Sequence, residues 1–231
     1  MQTSLSTTRG THGHRRSWWL AILLAAAAGS VLPLLPAAWA LRGRGPAAVD
    51  GIETLGDAVA DCQRSGLAGW ELVTYAQRLV YRKFHYYSCL NLWDTPAQAF
   101  RRGMGYCTQY NLALEQLLDR LDMCSPTGLG FDTQAVFSLR VAVAEDPAWA
   151  MGHTWLRVRV DGETRDVCAG QAANLPGQVG FTPLAPVLPG NGFVLFLTHL
   201  GLIGYAGFLE WRALLTRRPL PGWMFQVRPG S

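Results

Sequence analysis

Charge is what this sequence has least of. Asp, Glu, Lys and Arg make up 16% of its 231 residues, against about a quarter in ordinary soluble domains. The shortage is local. None of the four occurs between Arg16 and Arg42, nor between Asp166 and Glu210, and each gap holds an apolar run of membrane-spanning length. There is no Cys-x-x-Cys pair and no His-rich run, which argues against a zinc site and against a dithiol redox protein. No calcium loop is visible, no repeat recurs at a solenoid period, and no cofactor is implied.

The charge that is present is unevenly placed. The net charge of +4 combines eleven Lys and Arg with fifteen Asp and Glu over 45–190, and nine Arg with one Glu on the flanks. A nucleic-acid footprint would sit on the folded domain, and this domain is acidic. Arginines beside apolar runs are instead a topology signal. Residues 1–17 read as a cytoplasmic tail. Residues 18–40 read as a transmembrane signal-anchor, with a cleaved signal peptide as the rival because Ala38-Trp39-Ala40 is a small-x-small cleavage motif. Residues 192–211 read as a second transmembrane helix and 212–231 as a second cytoplasmic tail. A domain over 45–175 and a Pro/Gly connector over 176–191 are then extracytoplasmic. Partners follow: membrane lipid through both apolar helices, and a membrane protein as a further one. Five cysteines, Cys62, Cys89, Cys107, Cys124 and Cys168, allow two disulfides outside the cytoplasm and leave one thiol free.

Within the domain, Ile52, Leu55, Val59 and Cys62 recur at helical spacing, and a second helix is predicted over 70–86. Thr95-Pro96-Ala97-Gln98 is a capping box with proline at the first helical position. Alternation predicts a strand over 134–143. Helices precede antiparallel strands, an α+β layout.

Two stretches carry the chemistry. In Gly105-Tyr106-Cys107-Thr108-Gln109-Tyr110-Asn111, the helical leucines Leu114, Leu117, Leu118 and Leu121 follow. Gly105 permits a sharp turn, and Cys107 falls in the first helical turn, where free N–H groups and the helix dipole favour a thiolate. In the second stretch, His153 and Trp155 alternate with Thr154 and Leu156 along a strand. The Asp161-Gly162 turn signal brings 163–167 back as its partner, with Asp166 opposite Arg157. His153 and Asp166 share a face, about 13 Å apart along the strand. A thiol, an imidazole and a carboxylate are the parts of a nucleophile–base–orienter triad.

The order Cys…His…Asp, with Gly-Tyr-Cys at a helix start and His-x-Trp before an Asp-Gly turn, resembles the transglutaminase-like branch of the papain-type cysteine enzymes. The resemblance covers roughly residues 70–170. It implies a papain/transglutaminase-like core flanked by the two membrane helices. It implies Cys107 as nucleophile, His153 as base and Asp166 as orienter, acting through a Cys thioester on an amide or peptide bond of a peptide or protein substrate. Hydrolysis and acyl transfer remain open. Trp70 and Trp93 are the candidates for a second oxyanion donor. The interval from His153 to Asp166 is about two residues shorter than the resemblance implies, a gap that a bulge would close. The alternative is an inactive extracytoplasmic peptide-binding or assembly module of the same fold.

Overall fold

In the computed structural model, residues 21–29, 49–125, 128–143 and 152–228 are described. The fold is mixed α+β. Helix α1 (Leu55–Arg64) starts at Thr54, whose side chain accepts from the Asp57 N–H in a capping box. Helix α2 (Gly69–Lys83) follows, then strand β1 (Tyr86–Ser88), helix α3 (Pro96–Arg102), strand β2 (Met104–Gly105) and helix α4 (Cys107–Cys124). The capping box at Thr95 is present: Gln98 N–H donates to Thr95 Oγ1 and Thr95 N–H to Gln98 Oε1, an arrangement whose loss costs about 1 kcal/mol.

Four strands form the main antiparallel sheet, in the order β6 (Glu163–Val167), β5 (His153–Val160), β3 (Asp132–Ser138), β8 (Val187–Pro189). Arg157 pairs with Asp166 and Ser138 with His153, so His153 lies at one end of the sheet. Helix α4 packs on one face through Leu114, Leu117, Leu118 and Leu121, all buried with Leu156 and Val158 in one core cluster. A two-stranded antiparallel piece, β4 (Val141–Val143) with β7 (Phe181–Pro183), covers part of the other face. There Phe181 meets the ring of Trp155 edge-on at 5.1 Å.

Several boundaries differ from the sequence reading. Helix α2 ends at Lys83, and Tyr86 and Tyr87 belong to β1. The strand expected over 134–143 is broken because the Ser138 hydroxyl donates to the Arg140 and Ala185 carbonyls, turning the chain so that β4 pairs elsewhere. The expected connector over 176–191 contributes β7 and β8, and so belongs to the domain. All five cysteines are free, against the expectation of two disulfides.

Helix α5 (Gly192–Thr216) is long and apolar enough to cross a membrane, with mean hydropathy 1.7. It begins at Asn191, whose side chain accepts from the Val194 N–H. Of the first expected span, 18–40, only 21–29 are described, and these are helical; the rest, like the 1–17 tail, lies outside the described residues. Among the described residues α5 is therefore the single membrane-length helix, not one of two.

The largest correction follows α5. Within the stretch expected as a cytoplasmic tail, strand β9 (Phe225–Val227) pairs antiparallel with β1, which also pairs in parallel with β2. Arg228 is buried beyond it, 5% exposed. Its guanidinium lies over Tyr81 and Tyr110 at 4.3 and 4.8 Å. It donates to the Phe84 and Ala169 carbonyls. Carbonyl oxygens and aromatic faces both favour a guanidinium at a buried position. A segment across a membrane from the domain cannot supply one of its strands.

Candidate active site

A cavity of about 690 Å³ opens at the end of the sheet and is lined by Cys107, His153 and Cys168 together. Cys107 is the first residue of α4. It is held there by Gln109, whose Oε1 accepts the Tyr106 N–H while its Nε2 donates to the Asn91 and Asp94 carbonyls. Gly105 serves by close approach: a Cβ there would meet Gln109 Oε1 at 2.8 Å, and its φ is not in the left-handed region.

The Cys107 sulfur accepts from the Thr154 backbone and from Thr108, which ties it to the residue next to His153. Thr108 and Thr154 also join through their hydroxyls at 3.0 Å. Those contacts and the helix start favour a thiolate, but burial dominates and pushes the Cys107 thiol above its ordinary value. The expected activated thiolate is thus a protonated thiol in the resting protein.

His153 stacks on Trp155 at 6.2 Å and meets Phe181 edge-on at 4.6 Å. Burial lowers its imidazole to about 4, so it is neutral at pH 7. Its Nε2 lies 3.3 Å from Cys168 Sγ. If Nε2–H donates to that sulfur, Nδ1 keeps its lone pair as the basic nitrogen. The Cys168 thiol is itself raised to about 11 by burial, partly offset by Asn111 and the Gly170 backbone.

Asp166 is not at the site. Its carboxylate takes the Arg157 Nε at 3.2 Å, with both side chains substantially exposed. It does not line the cavity. The position beside His153 that an orienter would hold is filled by Cys168. Neither tryptophan candidate for the oxyanion lines the cavity either: Trp93 is 47% exposed, and Trp70 lies under the Arg165 guanidinium. Arg101 and Arg102, close to the Cys107 corner in sequence, pair with Glu53 and Asp94.

Asn111 and His199 matter at the site, though the sequence reading gave neither a role there. Asn111, one turn after Cys107, donates to the Thr154 carbonyl at 2.7 Å and to Cys168 Sγ at 3.6 Å. Its Oδ1 accepts the Ala169 N–H. One buried amide thus fixes the His153 strand and the Cys168 segment to α4. His199, on α5, sits 2.7 Å by its Nδ1 from the Tyr106 hydroxyl and lines the cavity. Compared with known proteins, the chain matches no family model and no curated protein.

Proposed function

We propose that this chain is a membrane-associated, transglutaminase-like cysteine enzyme that forms an acyl thioester on Cys107. The observation that supports it most is the shared cavity: a thiol at a helix start and an imidazole at a strand start open into the same space. The Thr154 backbone contact holds the sulfur next to the His153 peptide. His153, neutral at pH 7, takes the thiol proton as Cys107 attacks an amide or peptide carbonyl. The sulfur–carbon bond forms, the carbon–nitrogen bond breaks, and the proton passes to the leaving amine. The Cys107 N–H, in the first turn of α4, is the donor offered to the developing oxyanion. Water or an acceptor amine then resolves the thioester, giving hydrolysis or acyl transfer.

The papain/transglutaminase-like core belongs to this proposal. So does the placement: the domain is extracytoplasmic, the first apolar segment anchors it, and α5 meets the bilayer. Residues 222–228 stay with the domain, because β9 pairs with β1.

A second reading has its own support. Burial disfavours both the thiolate and the imidazolium, and among the described residues no carboxylate is hydrogen-bonded to His153. An inactive peptide-binding or assembly module of the same fold would look this way. Incubating the full chain with a glutamine-peptide library and trapping thioesters by intact mass separates the two. The enzyme gives a peptide adduct on Cys107 that His153→Ala abolishes; the binding module gives retained peptide with no mass added.

A further inference from the structure

Among the described residues, no charged side chain lines the cavity. Its polar lining consists of hydroxyls, amides, thiols and imidazoles, set among Tyr87, Tyr110, Phe137, Phe181 and other apolar groups. The charge-free sequence between Asp166 and Glu210 supplies about half of that lining. A substrate with an ionised group would lose its hydration there and meet no counter-ion among the described lining residues, at a cost of several kcal/mol.

One wall of the cavity is α5. Thr198, Leu202 and Tyr205 face the space, while Phe193, Phe196 and Phe208 on the same helix are at least 60% exposed. The helix that walls the cavity is therefore also the one built to contact lipid. At Gly201 the wall is only backbone: the residue lines the cavity, is exposed, and a Cβ there would meet nothing within 4 Å. At Gly204, in the next turn, an added Cβ would likewise meet nothing within 4 Å.

We infer that the acyl group Cys107 accepts is a long uncharged alkyl chain of a membrane lipid, admitted past Gly201. The inference rests on Cys107 being an acyl-accepting thiol. Cys107 Sγ bonds to the acyl carbon, the ester or amide bond to the lipid headgroup breaks, and the thiol proton passes through His153 to the departing oxygen or nitrogen. The alkyl chain lies along α5, and no oxidant or reductant is needed.

The test uses the full chain in lipid nanodiscs and p-nitrophenyl esters with two-, four-, eight- and twelve-carbon acyl groups. An eight-carbon ester ending in a carboxylate and a leucine-rich peptide ester complete the set. Single-turnover acylation of Cys107 is followed by intact mass. Each methylene from two to eight carbons raises the rate about threefold to fourfold, and the terminal carboxylate removes at least roughly tenfold of that gain. Partitioning into the nanodisc acts equally on any variant, so the decisive readout is the octanoyl-to-acetyl ratio in Gly201→Phe, which falls by about tenfold or more. A chain-length profile unchanged by Gly201→Phe, equal rates with the charged ester, or a faster peptide ester overturns the lipid assignment while Cys107 remains an acyl acceptor. No acylation of Cys107 by any ester removes that reading, and this inference with it.

Discussion

The Nε2 of His153 lies 3.3 Å from the sulfur of Cys168, so the imidazole is oriented by a second thiol. A thiol raised to about 11 is a weak, neutral partner. It fixes the ring without adding the negative charge that a carboxylate would bring. In the proposed reaction the base is therefore a neutral imidazole of low basicity that shares a cavity with a protonated thiol, and proton transfer has to accompany attack.

This arrangement predicts that Cys168→Asp makes the site faster. A carboxylate beside Nε2 raises the basicity of His153, and Arg228, already close to Cys168, offsets the buried charge. Acylation of Cys107 at pH 7 rises by roughly tenfold, and the acid limb of its pH–rate profile moves upward. Cys168→Ala loses the ring's partner and slows acylation by about as much. Stopped-flow acylation across pH 4–9 reads both. Equal profiles for all three proteins would show that Cys168 does not position the base.

Stability should carry the signature of a neutral buried imidazole. The His153 value is lowered to about 4 in the fold, against about 6.5 in an unfolded chain. Between those values the unfolded chain binds more protons, so stability is complete above about pH 6.5 and drains away as pH falls toward 4. The difference between pH 7 and pH 4.5 attributable to this residue is up to about 3 kcal/mol. Denaturant midpoints for the wild type and His153→Gln at the two pH values check it. The variant loses less on acidification; an identical loss in both contradicts the burial of the ring.

The segment after α5 is part of the domain, and removing it should unfold what a free tail would leave intact. Arg228→Ala leaves the Phe84 and Ala169 carbonyls unpaired in the core, at a cost of about 3 kcal/mol. In a chain of this size that lowers the melting temperature by roughly 6–12 °C. Truncation after Thr216 also removes β9 and costs more. Thermal melts of the full chain and both variants decide it, and unchanged melting would return 217–228 to the status of a tail.

Much of this was legible in the sequence where local rules decide. The Thr95 capping box, the α4 helix from Cys107, the β5–β6 hairpin and the Arg157–Asp166 pairing follow from capping, periodicity and turn chemistry. Asp166 misled because triad logic asks for a carboxylate, and hairpin parity put the nearest one on the His153 face. The two missing residues in the interval were the usable signal: two residues beyond Asp166 stands Cys168. The ion pair with Arg157 was also readable, since a directly opposed cation claims an exposed carboxylate before a distant imidazole can.

What the sequence hid was non-local. Nothing near Arg228 in the chain announces Tyr81, Tyr110 and the Phe84 and Ala169 carbonyls. A flanking arginine therefore read as topology and not as core. The cavity wall was hidden likewise, because an apolar helix reads the same whether lipid surrounds it or a domain covers one side. His199 reads as a membrane histidine until Tyr106 is placed 2.7 Å from it. Burial also reversed an expectation: helix-start position alone favours a thiolate at Cys107, and only the packed structure shows desolvation outweighing it.

The central claim is that Cys107, not Cys168, is the nucleophile and that His153 activates it. The most direct measurement is the acylation rate by p-nitrophenyl acetate, with the modified cysteine located by peptide mass mapping, in the wild type, His153→Gln and Cys107→Ser. The account predicts a single acetyl group on Cys107, a rate lower by at least about 100-fold in His153→Gln, and no acetyl group at Cys168 in Cys107→Ser. An acetyl group on Cys168, or a rate indifferent to His153, would contradict it.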